Sequence, residues 1–179
     1  MSTTHQTIIR SRGFIARDCF AVERIVNACF PADGWTAEDR EQIIADLPSV
    51  YTGSLLCIVA SLSDTSRAFS TDAPICGLIT IRLTPDIAHV STMAVLPEYR
   101  RAGVGSHLLA HAKSKLWTRQ KVTLHVHERA VAAQLLLRSE GFKCVAIMPP
   151  WGADAAWHWE KRYEFEYLKG RDDVAMARS

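Results

Sequence analysis

Residues 89–109, HVSTMAVLPEYRRAGVGSHLL, decide how this chain reads. Residues 89–95 are short, apolar or β-branched, and read as a strand. A loop with Arg100, Arg101, Gly103 and Gly105 follows. Beyond it, Val104, Leu108, Ala112 and Leu116 recur every four residues and give a helix its apolar stripe. A helix start exposes unpaired backbone N–H groups and the positive end of the helix dipole, here beside two arginines. Glycine at 103 and 105 leaves no side chain to hold a ligand off the backbone. The stretch therefore reads as a cradle for a phosphate or pyrophosphate group.

Working outward, residues 75–83 alternate in a strand pattern, with Pro85 and Asp86 as the turn into residue 89. Residues 55–60 are a continuous apolar run, the pattern of a central strand. Residues 61–73, SLSDTSRAFSTDA, are polar and small and read as the longest loop. Upstream, residues 6–11 fit a short edge strand. Asp18 stands as the N-cap of a helix whose buried face is Val22, Ile25, Val26 and Cys29. Pro31 and Gly34 break it, and Thr36 with Asp39 opens a second helix in an approximate capping box. Ile43, Ile44 and Leu47 supply its buried face and Pro48 ends it. Downstream come a strand at 122–126 and a helix at 130–138 closed by Gly141. Two last strands, 143–148 and 157–165, flank the loop PPWGADAA. The order β, α, α, β, β, β, α, β, α, β, β gives a mixed α/β sheet, its second to fourth strands an antiparallel meander. One domain is expected over residues 1–168, with a charged, frayed tail at 169–179.

Composition narrows the partners. A net charge of +2, with no basic run longer than the Arg100–Arg101 pair, argues against nucleic acid. No apolar stretch approaches the roughly 18–20 residues that span a bilayer, so no membrane partner is expected. The start, MSTTHQTIIR, lacks the apolar core of a secretory signal. The five cysteines form no CxxC pair, and Cys19 and Cys57 fall in segments that read as buried. Reduced core thiols in a cytoplasmic protein follow. No metal site is expected from the seven histidines, of which His125 and His127 share one strand face.

Four readings compete for RRAGVGSHL. A dinucleotide fingerprint needs a third glycine where Leu108 stands, and normally follows the first strand of a βαβ unit rather than a meander. A P-loop needs Lys followed by Ser or Thr after its last glycine, and Ser106–His107 does not supply it. The third reading is a basic helix start with no ligand.

The fourth is a family. Arg100-x-x-Gly103-x-Gly105, preceded by a strand and Val95-Leu96-Pro97-Glu98-Tyr99, resembles the acyl-CoA signature of the GNAT N-acetyltransferase superfamily. The resemblance covers most of the chain, as far as the pair Gly141-Phe142. It implies a twisted, mostly antiparallel mixed sheet flanked by helices, with a splayed central strand pair. It implies acetyl-CoA as cosubstrate, its pyrophosphate on the loop amides of Arg101, Ala102, Gly103, Val104, Gly105 and Ser106, beside Arg100. It also places the pantetheine arm along Met93, Ala94 and Val95, with an oxyanion donor at the N–H near Val95.

An amine must lose a proton before attacking a thioester. His89 begins the pantetheine strand, where several members carry Glu or Tyr, and imidazole accepts a proton near neutral pH. Counted by two, His89, Ser91, Met93 and Val95 share a strand face. His125, in Leu124-His125-Val126, resembles the histidine of the protein N-terminal acetyltransferase branch, which works with the residue at the His89 position through a water. Both are also readable as packed or hydrogen-bonded histidines, and His127 as the latter. Two places depart from the family pattern. Leu137 stands where many members carry the tyrosine that protonates the leaving thiolate, and Ala130 where an asparagine is frequent. Phe30-Pro31 resembles the loop of the branch that acetylates N-termini beginning with Met and a hydrophobic residue, and Trp151 reads as the opposite wall of a peptide groove. A peptide α-amine is the expected acceptor. A small amine of polyamine or arylalkylamine type is the alternative, and a weakly catalytic acyl-CoA-binding module a third.

Overall fold

The computed structural model describes residues 7–30, 37–64, 73–116, 121–148 and 162–168. Pro31, Thr36, Trp151, Trp157, Trp159 and the tail lie outside the described residues. The elements are β1 (Thr7–Gly13), α1 (Cys19–Cys29), α2 (Ala37–Ala45), β2 (Leu55–Asp64), β3 (Ile75–Leu83), β4 (Ile87–Val95), α3 (Val104–Lys115), β5 (Lys121–His127), α4 (Val131–Ser139), β6 (Lys143–Met148) and β7 (Arg162–Leu168). The strands form one sheet in the order β1-β2-β3-β4-β5-β7-β6. All neighbours are antiparallel except β4 and β5. The meander is there, one strand longer than expected because β1 pairs with β2 along its whole length.

The sheet has a core on each face. On one, Val104, Leu108, Leu109 and Ala112 of α3 and Leu137 of α4 pack over Ile58, Ile79, Ile81, Val90, Leu124 and Phe165. On the other, Val22, Ile25 and Val26 of α1 cover Cys57, Val59, Leu78 and Ala94. The i, i+3, i+4 spacing read in the sequence is thus the buried face of α1, with Cys29 at its half-buried end. α4 ends as Gly141 predicts. That residue takes φ 86°, its N–H reaches the Arg138 carbonyl, and the Phe142 N–H reaches that of Leu137, a Schellman closure.

Several expectations need correcting. β2 runs on to Asp64, so residues 61–64 are strand rather than loop. Ser61, Ser63 and Asp64 are weak strand formers, but pairing with residues 7–10 holds the backbone extended. Asp18 precedes α1 yet does not cap it. Its carboxylate, 3% exposed, turns back to Arg12 at 2.6 Å and 2.8 Å and accepts the Ile15 N–H at 2.9 Å. Cys19, the first residue of α1, is exposed, not buried. Leu47 and Pro48 belong to a separate 3-10 turn, Leu47–Val50, after α2. β7 runs on past Phe165 to Leu168.

The correction that matters most is in β4. Thr92 pairs with Thr80 but Val90 pairs with Ile81, so Ser91 is an extra residue, a β-bulge. The bulge reverses which residues face which side. Ala88 and Val90 face the α3 core before it, whereas after it Met93 and Val95 do so and Ala94 faces α1. His89 therefore does not share a face with Met93 and Val95. It lies on the opposite side of the sheet.

Candidate active site

β4 and β5 run side by side only from Ile87↔Lys121 to Val90↔Leu124, and then part. Residues 91–95 and 125–127 thus line a gap between central strands, the splayed pair expected above. The Leu96 N–H bonds Cys76 on β3, so strand alternation turns the preceding N–H, that of Val95, away from β3 toward this gap.

The loop at the far end of β4 makes the cradle. A 3-10 turn, Pro97–Tyr99, leads into Arg101 at φ 64° and Gly103 at φ 85°. A non-glycine residue at positive φ is uncommon, and such interleaved residues turn successive N–H groups to one side. Gly103 is the N-cap of α3 and offers no side-chain cap, so the amides of Val104, Gly105 and Ser106 keep their hydrogen-bonding capacity for a ligand. An anion fits here. A Cβ on Gly105 would lie 2.9 Å from Leu136 Cδ2, so that glycine also lets α3 approach α4 closely. Arg100 donates from Nε to the Val95 carbonyl at 3.1 Å, tying the loop to the end of β4.

On the other face of the sheet, the pairing of β4 with β5 brings His89 and His125 together. Their ring centroids are 5.1 Å apart at an interplanar angle of 58°. His89 Nδ1 shares a 3.0 Å hydrogen bond with Oγ1 of Thr123, the residue directly across from it. Burial, then the charges of His125 and Arg82, hold the His89 imidazolium below its ordinary 6.5, against an upward pull from Glu164. A half-buried, neutral imidazole beside a second one is suited to taking up protons. His127 serves the turn instead, its Nδ1 accepting the Arg129 N–H at 3.4 Å.

Of the proposed substrate walls, Phe30 sits at the C-cap of α1, packs partly against the α1 core and gives its carbonyl to Arg40 at 3.2 Å. Pro31 and Trp151 lie outside the described residues. Leu137 is fully buried in the α3–α4 core, and Ala130 is the half-buried N-cap of α4. Neither holds a proton to give. His107 and His111 stand at the HxxxH spacing on α3. Ser11 Oγ takes up His111 Nδ1 at 2.5 Å, and among the described residues no three His, Cys, Asp or Glu side chains gather as a metal site. No described helix is long and apolar enough to cross a membrane.

Residues 63–144, from the end of β2 through the cradle to the start of β6, match the acetyltransferase (GNAT) domain. The fold is GNAT-like. Solved structures share the fold at low identity. The ribosomal-protein-S18-alanine N-acetyltransferase of Escherichia coli is 19% identical, with 92% of this chain and 98% of that one covered and a TM-score of 0.68. NAA60 of Arabidopsis thaliana, in complex with a bisubstrate analogue, is 20% identical, with 90% and 98% covered and a TM-score of 0.69. A spermidine N-acetyltransferase chimera of the Vibrio cholerae protein SpeG and hSSAT is 12% identical, with 96% and 99% covered and a TM-score of 0.65. No curated protein matches in sequence.

The signal for one further polar group was visible in advance. In RYEFEYL, Glu164 and Glu166 alternate with Tyr163, Phe165 and Tyr167, a pattern that puts both carboxylates on one strand face.

Proposed function

We propose that the protein is a GNAT-type N-acetyltransferase that transfers the acetyl group of acetyl-CoA directly to a peptide or protein N-terminal α-amine. The observation that carries the proposal is the His89–His125 pair at 5.1 Å, at the point where β4 and β5 part. The amides of residues 101–106 would hold the pyrophosphate, and the backbone of Met93, Ala94 and Val95 the pantetheine arm. With Nδ1 donating to Thr123, His89 presents Nε2 as base and removes the ammonium proton, with His125 beside it or linked by water. The amine nitrogen then bonds to the thioester carbon. The oxyanion rests on the Val95 N–H, the nitrogen gives up its second proton to His125 or to water, the C–S bond breaks, and the thiolate leaves. Because Leu137 supplies no acid, the thiolate leaves unprotonated, which a thiol of ordinary acidity tolerates near neutral pH. Phe30, at the end of α1, would form part of the wall of the peptide groove. The free thiols of all five cysteines fit a reducing cytoplasm.

The spermidine enzyme among the structural neighbours supports a second reading, a small-molecule amine as acceptor. Leu137 supports a third, a weakly catalytic acyl-CoA-binding module. The test is thiol release from acetyl-CoA with a Met-Leu-starting peptide, spermidine and phenethylamine. The proposal expects peptide turnover, reduced on the order of 10²–10⁴-fold in His89→Ala and His125→Ala. Turnover with small amines alone replaces it by the second reading. Tight coenzyme A binding without turnover replaces it by the third.

A further inference from the structure

Beyond the histidine pair, the structure assigns Glu164 as the acceptor's ammonium site, an anionic anchor that selects the cationic form of the incoming amine and delivers it to His125 and His89. The inference rests on the acetyl-transfer reading and adds the group that recognises the acceptor.

The placement follows from register. Tyr163, Phe165 and Tyr167 of β7 pack toward the α3–α4 core, so Glu164 and Glu166 face the opposite side. That is the side of His89 and His125. Glu164 stands directly across from His125 in the β5–β7 pair, where opposed side chains lie about 5 Å apart. His125 in turn is 5.1 Å from His89. A line of base, base and carboxylate therefore crosses three adjacent strands.

The two carboxylates of this face are in different states. Glu166 is taken up by an ion pair with Lys121. Glu164 is half-buried and, among the described residues, has no ion-pair or side-chain hydrogen-bond partner. A partly desolvated carboxylate lacking a counter-ion is an unfavourable arrangement that a ligand cation relieves. The proposed reaction brings such a cation, since a primary amine arrives protonated at neutral pH. Glu164 binds it as ammonium, and the histidines one and two strands away then accept the proton that must leave. The upward pull of Glu164 on His89 accords with a carboxylate close enough to act on the pair.

The experiment compares wild type with Glu164→Gln and Glu164→Asp, using the amine that wild type turns over best from the Met-Leu peptide, spermidine and phenethylamine. Acetyl-CoA affinity, measured by titration, reports that each variant is folded. A hydrogen-bonded charge of this kind changes binding by roughly ten- to a hundredfold. Glu164→Gln is expected to raise the amine KM by that factor with kcat within a few-fold, and Glu164→Asp to recover part of it. Where that amine is the peptide or phenethylamine, inhibition by the N-acetylated product, whose acceptor nitrogen is an uncharged amide, is expected to be unchanged in Glu164→Gln. An unaltered amine KM in Glu164→Gln, or an equal loss of affinity for the uncharged product, overturns the assignment while leaving acetyl transfer standing. A wild-type protein that binds acetyl-CoA and acetylates no amine overturns the underlying reading and this one with it.

Discussion

Gly77 offers the sharpest test of how the sheet holds the cradle. It lies on β3, and a Cβ there would sit 3.0 Å from the Ala94 carbonyl oxygen, 3.1 Å from Val104 Cγ1 and 3.3 Å from Leu108 Cδ1. The first neighbour is backbone of β4 and cannot yield without disturbing the β3–β4 pairing. The other two belong to the first turns of α3, whose amides make the cradle. Gly77→Ala must therefore lift the start of α3 by a few tenths of an ångström. Overpacking of this kind costs about 1–3 kcal/mol, offset in part by up to about 1 kcal/mol for replacing glycine within a strand. A net loss of ~1–2 kcal/mol corresponds to a fall in Tm of roughly 2–8 °C for a chain of this size. Gly13→Ala is the control, since no atom lies within 4 Å of its Cβ position. Thermal melting and acetyl-CoA titration of both variants make the assay. Gly77→Ala should melt early and bind acetyl-CoA more weakly, and Gly13→Ala should do neither. A Gly77→Ala protein that melts with the wild type refutes the packing reasoning. One that melts early with its acetyl-CoA affinity intact refutes the link from β3 to the cradle.

Other outcomes follow from single residues. Gly103→Val forces a β-branched residue to φ 85° and should remove acetyl-CoA binding, and tight binding by the variant rejects the cradle. Arg12→Leu leaves the buried Asp18 carboxylate without its guanidinium and should destabilise by about 3 kcal/mol in urea titration at pH 7. Burial pushes the Asp18 carboxyl up, but the Arg12 and Ile15 hydrogen bonds outweigh it and hold the group below its ordinary 3.8. The pair's contribution is therefore present above pH 3.8 and lost as pH falls below it, so wild type and Arg12→Leu should converge in strongly acidic urea titrations. Arg82→Gln removes one of the charges that hold His89 down. The acidic limb of its kcat/KM profile should move to higher pH, and an unmoved limb rejects His89 as the titrating base.

The parts of the site that lie close in sequence were legible. A strand, two arginines, two glycines and a helix stripe announce the cradle within some twenty residues. The meeting of His89 and His125 was legible only through the family resemblance, because it depends on β4 and β5 lying parallel and adjacent. Ser91 was not legible at all: nothing in its chemistry distinguishes a bulge from a regular strand residue, and strict alternation put His89 on the wrong face. Asp18 misled because a carboxylate before a helix looks like a cap whether or not an arginine six residues earlier claims it. Gly105 carries a second requirement that was not legible: Leu136 on α4 needs the room that a side chain there would fill.

The bulge at Ser91 also bears on traffic. Since the cradle and the His89–His125 pair use opposite faces of a sheet one strand thick, the two reactants of the proposed reaction enter by separate doors. Neither has to vacate a shared channel before the other binds, and no acetylated side chain is required to ferry the group between them. Kinetics of such a layout are those of a ternary complex. Initial-rate plots should intersect rather than run parallel, and coenzyme A should leave without waiting for the acetylated amine.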